Sequence, residues 1–112
     1  MRKVFKRAAA RRDLIGHYVH LYESGGEDLA DRFLNQIEET FIDLTQQREM
    51  GTPLTSRNPA LSGIRKWRVK GFENFLIFYI PRTDGVSIVR VLYAARDWWS
   101  MIGLKDEATK TR

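Results

Sequence analysis

The chain has 112 residues, 43% hydrophobic and 12% aromatic, with no cysteine and a formal net charge of +5. That length and apolar content predict a single domain, residues 1–112, around one core, and the lack of cysteine excludes disulfide staples and thiolate metal sites and points to an intracellular compartment. A charged N-terminus is followed by Ala8 to Asp13 where a signal peptide needs an apolar stretch, and no segment is long and apolar enough to span a bilayer, so a cytoplasmic protein without membrane attachment is expected.

A short strand is predicted at Arg2 to Arg7. From Ala8 to Tyr22, the residues Leu14, Ile15, Tyr18, Val19 and Tyr22 recur at three- and four-residue spacings, the stripe of an amphipathic helix. Ser24-Gly25-Gly26 breaks it. A longer helix follows from Glu27 to Arg48, read from Ala30, Phe33, Leu34, Ile37, Phe41 and Leu44, with Glu27, Asp28 and Asp31 favouring its N-terminal dipole. So short a link folds the two helices back on each other as a hairpin. Gly51 to Ala60 is rich in turn formers and reads as a loop.

Past the loop the period changes to two. In Ile64 to Lys70, Trp67 and Val69 point one way, while Lys66, Arg68 and Lys70 form a basic face on the other. Gly71 to Asn74 gives a turn, Phe75 to Ile80 is apolar on both sides as in a central strand, and Pro81 to Gly85 closes a hairpin into Val86 to Ala94. The resulting layout is α+β: an N-terminal strand, a two-helix hairpin and a three-stranded antiparallel meander, with the helices packed on one sheet face.

Charge is sorted along the chain. Residues 1–12, 13–50 and 51–112 sum to +6, −7 and +6, which implies either a basic strand surface opposite an acidic helical side or neutralisation of the blocks across the fold. Lys66, Arg68 and Lys70 with Arg90 on a neighbouring strand are the candidate positive patch, beside Trp67 or Tyr93. Arg90 and Arg96 interrupt an otherwise buried run, so each must face water, a carboxylate or an anionic partner. The aromatics of Phe75 to Tyr79 are assigned to the core. His17 and His20 share a helix face without a third ligand, so a solvated face is expected there and no metal. At the end of the chain Trp98, Trp99, Met101, Ile102 and Leu104 must be covered by something, either the domain's own core or a partner.

The order of elements, Ala10-Arg-Arg-Asp-Leu14 at the start of the first helix, the aromatic strand Phe75 to Tyr79, and Arg90-Val-Leu-Tyr-Ala-Ala-Arg-Asp97 together resemble the ParE-type toxins of the RelE/ParE toxin–antitoxin superfamily. Tyr93 stands where histidine is usual in that last motif. The resemblance implies a type II toxin neutralised by a cognate, ParD-like antitoxin, meeting operator DNA only indirectly through that antitoxin, and associated with plasmid stabilisation and growth arrest. Two target classes exist in the superfamily. ParE-like members are associated with inhibition of DNA gyrase, whereas RelE-like members cut mRNA on the ribosome.

In-line attack by a 2′-OH needs a base, an acid and cations around the phosphorane. Cations are present in Lys66, Arg68, Arg90 and Arg96, but Tyr93 is the sole acid/base candidate near them, and an unperturbed phenol with a pKa of about 10 is a poor base. The expectation is therefore a non-enzymatic toxin without a cofactor, engaging its target through Lys66, Arg68, Arg90 and Arg96 and its antitoxin through Trp98, Trp99, Met101 and Ile102. The alternatives are a RelE-like endonuclease using Lys66, Arg68, Arg90, Tyr93 and Arg96, or a degenerate toxin retaining only antitoxin binding.

Overall fold

The computed structural model describes residues 2–95 and 97–102. Strand β1 (Lys3–Lys6) leads into α1 (Ala8–Gly25) and α2 (Glu27–Gln46); β2 (Thr52–Pro53), a 3-10 turn at Pro59–Leu61, β3 (Arg65–Val69), β4 (Phe72–Arg82), β5 (Gly85–Tyr93) and the short α3 (Trp98–Met101) follow. The strands form one sheet in the order β1-β5-β4-β3-β2. β1 runs parallel to β5 and every other pairing is antiparallel. The meander is thus extended at both edges: the N-terminal strand closes one, and Thr52–Pro53, expected to be loop, pairs with Lys66 and Arg65 at the other.

Gly26 is the hinge of the helical hairpin. With φ of 91° it adopts a conformation that side-chain-bearing residues rarely take, and its N–H returns to Tyr22 O, ending α1 one residue before α2 begins. The apolar stripe of α2, Phe33, Ile37, Phe41 and Leu44, lies fully buried against Ile77, Tyr79, Val86, Ile88 and Val91 of the sheet, with Ala10 and Leu14 of α1 beside it. Each such large side chain contributes about 1.5–3 kcal/mol on leaving water. Tyr79 anchors the sheet to the end of α2, its hydroxyl donating to Arg48 O and accepting from Gly51 N, both at 2.9 Å. Burial raises the Tyr79 pKa, opposed by the Gly51 N–H and by Arg65.

The opposite sheet face is also covered. Leu76 and Phe78 of β4 and Val89 and Leu92 of β5 form a second apolar cluster with Leu61, Ile64 and Ile102, and Leu54, Trp98 and Trp99 pack around it. The long loop and α3 therefore seal the sheet face that the helical hairpin leaves open, and β4 is buried on both sides as its continuous apolar run requires.

Candidate functional site

β3 lies between β4 and the two-residue β2, so its register fixes where the basic residues emerge. Lys66 stands opposite Phe78 and Arg68 opposite Leu76. Directly paired residues share a sheet face, which puts both cations on the outer face, away from the helical hairpin. Lys66 Nζ sits 5.0 Å from the centre of the Trp98 ring, a cation–π contact that lays its stem along the aromatic cap. Arg68 is exposed and makes no hydrogen bond or ion pair among the described residues. Lys70 leaves this face: a bulge between Arg68 and Val69 turns the strand toward α2, where Lys70 Nζ meets Glu39 at 3.2 Å and Lys70 N donates to Thr40 Oγ1.

Arg90 does not join the patch, and this corrects the expectation of a cluster on neighbouring strands. β4 separates β5 from β3. Arg90 instead reaches α1 in a two-pronged pair with Asp13, Nε to Oδ2 at 2.7 Å and Nη2 to Oδ1 at 2.9 Å, with its side chain 24% exposed. The hydrogen-bonded carboxylate raises the guanidinium pKa further above its ordinary value. Asp13 Oδ2 also accepts from Val91 N at 2.9 Å, and the Val91 carbonyl accepts from His17 Nε2 at 2.7 Å. His17 is therefore the Nε2–H donor, not a solvated residue, with its ring edge-on to Phe75 at 4.9 Å. Asp13 and His17, one helical turn apart, satisfy both backbone groups of Val91 on the edge of β5 away from β4, where β1 has ended and no described strand continues.

Tyr93 is opposite Phe75, whose side chain belongs to the helix-side core, and the two rings meet edge-on at 5.4 Å. The residues considered for RNA cleavage are thus divided: Lys66 and Arg68 on the outer face, Tyr93 on the helix face, Arg90 bound to Asp13. Arg96 and Leu104 lie outside the described residues. Of the apolar tail, Trp98 and Trp99 are half-buried, with Trp98 5.3 Å from both Phe78 and Trp99 ring centres. Met101 is 38% exposed, whereas Ile102 is 4% exposed and belongs to the second cluster, which corrects its assignment as a contact surface. Within the described residues, Trp98, Trp99 and Ile102 cap the chain's own core, while Met101 and the outer edges of the two tryptophans face outward.

Three ion pairs join the charge blocks across the fold: Lys6 with Glu38 at 3.1 Å, Lys70 with Glu39, Arg90 with Asp13. Lys66 and Arg68, outward on β3, take part in none of these three pairs. Beside them runs a groove of about 690 Å³ between the C-terminal half of α2 and the edge of β3, lined by Met50, Trp67, Arg68, Val69 and Leu76 with Asp43 on the helix side. β2 pairs only with Arg65 and Lys66, so the β3 edge from Trp67 to Val69 has no described strand beside it. Periodicity could not reveal this groove, because it depends on how early β2 ends.

The helical hairpin thus covers one face of a mixed sheet, and on the opposite, apolar face Lys66 lies against Trp98 with Arg68 exposed on the same strand. Comparison with protein families matches residues 4–98 to the ParE toxin of type II toxin–antitoxin system, parDE, and the chain belongs to that family. A solved structure described as the chromosomal ParDE TA system from P. aeruginosa shares the fold, with a TM-score of 0.66 and 22% identity over 83% of this chain and 96% of that one. Comparison with curated proteins found no match.

Proposed function

We propose that this ParE-family chain arrests growth by docking on DNA gyrase without bond chemistry of its own, and that a ParD-like antitoxin holds it inactive. The observation that carries the reading is the outward pair Lys66, whose ammonium lies over Trp98, and Arg68, exposed on the same strand, on a sheet face otherwise closed by apolar packing. A cation beside an aromatic edge binds acidic protein surface well, whereas phosphoryl chemistry would need a convergent base and acid. Arg96 enters the proposal from the sequence alone. Arg90 holds α1 to β5 through Asp13 and is given no part in target contact.

For the antitoxin, the exposed edges of Trp98, Trp99 and Met101 and the open β3 edge offer apolar anchors and strand addition within one continuous region, and an acidic segment laid there covers Arg68. The related structure from P. aeruginosa is described as a chromosomal ParDE TA system, which supports a partner of this kind. Contact with operator DNA then runs through the antitoxin.

Induced expression in bacteria, with and without the antitoxin, tests the reading. Growth arrest that the antitoxin relieves, accompanied by relaxed or broken chromosomal DNA, is the expected result. Unimpaired growth means a degenerate toxin, and prompt cuts in mRNA mean a ribosome-dependent nuclease; either overturns the proposal.

A further inference from the structure

The outer face of α1 carries an exposed stripe that the fold does not use. Ile15 is 65% exposed and Val19 46%, and Gly16 lies between them on the same face as Arg12 and Glu23. At 100° per residue, Arg12, Ile15, Gly16, Val19 and Glu23 fall within about a third of the helix circumference. A glycine in a helix interior costs about 0.5–1 kcal/mol relative to alanine. Nothing inside this molecule requires it, since a Cβ on Gly16 would have no heavy atom within 4 Å. Arg12 and Glu23 make no hydrogen bond or ion pair among the described residues.

We infer that α1 is a self-association surface whose occupant is a second copy of this chain, packed antiparallel about a two-fold axis. The sequence numbers carry the argument. About a centre midway between Gly16 and Val19, the symmetry sets Val19 of one copy against Gly16 of the other, Ile15 against His20, and Arg12 against Glu23, twice over. An isologous contact must be self-complementary in shape and charge. Here the small residue faces the branched one and each cation faces an anion, and the missing Cβ lets the helix backbones approach closely. A single helix pair buries less than the ~1,200–2,000 Å² of stable complexes, so the dimer is weak and concentration-dependent. The inference concerns a face remote in sequence from Lys66 and Arg68 and stands or falls apart from the toxin reading.

Sedimentation equilibrium of the purified full chain, from roughly 5 to 500 µM, reads it directly. A monomer–dimer equilibrium is expected. Arg12→Glu and Glu23→Arg should each weaken dimerisation by about tenfold, since each turns two attractive pairs into repulsive ones, and the double exchange should recover to within about threefold of the original. Gly16→Leu, a better helix former, should leave the circular dichroism unchanged and abolish the dimer. A chain monomeric throughout overturns the inference, as does a dimer indifferent to the charge exchanges. So does a stripe whose hydrogen exchange is slowed only when antitoxin is added, which would make the antitoxin its occupant.

Discussion

Asp13 is the residue on which the junction of α1 with β5 turns, because its two oxygens serve the Arg90 guanidinium and the Val91 amide together. Asp13→Ala would strand a mostly buried cation and a backbone donor, and should cost about 2–3 kcal/mol in denaturant unfolding. A second residue-scale contact reports on pH. The Tyr18 hydroxyl donates to Asp31 Oδ1 at 2.6 Å, and that hydrogen bond, more than any other influence, pushes its pKa up to about 12. The folded chain holds this proton more tightly than the unfolded one, so the contribution is fully present below the ordinary phenol range and is lost as pH rises through about 12. An absorbance titration of the tyrosines should show Tyr18 ionising late, and Asp31→Ala should bring it back toward the others; an unchanged curve would mean the contact is absent in solution.

Among the elements, β1 depends on a position with no side chain. Gly85 has φ of 153°, and a Cβ there would fall 1.8 Å from Lys3 O, across the parallel β1–β5 pairing. Gly85→Ala should therefore release β1, costing more than about 1 kcal/mol and speeding amide exchange across Lys3–Lys6. The helices and the three long strands were legible in the sequence because each carries its own periodicity, and α2 in particular has the 3.6-residue stripe that the core demands. What could not be read were pairings made at a distance. Thr52–Pro53 becomes a strand only because Arg65 and Lys66 lie beside it, and the Lys70 side chain changes direction only because of the bulge at Arg68.

At the scale of the molecule, the sheet is covered on both faces by unequal means, a helical hairpin on one and a loop with a terminal turn on the other. Trp98, half-buried over Phe78, is the main aromatic of that second cover, and Trp98→Ala should cost about 2 kcal/mol, visible as a lowered melting temperature. The family is legible in the chain's motifs, and the shared outward direction of Lys66 and Arg68 is legible from alternation alone, because β3 obeys it there. For Arg90 the sequence leaves water, a carboxylate and an anionic partner all open, because its carboxylate partner lies 77 residues away on α1 and spacing carries no trace of such a pair.

The claim on which the account rests is that Lys66 and Arg68 grip the target without doing chemistry. Charge-preserving and charge-removing variants decide it most directly. When K66R/R68K and K66A/R68A are induced side by side, with thermal stability checked for both, we expect the first to remain toxic and the second to lose toxicity while still folding. A K66A/R68A chain that folds and arrests growth as strongly as the original would contradict the account.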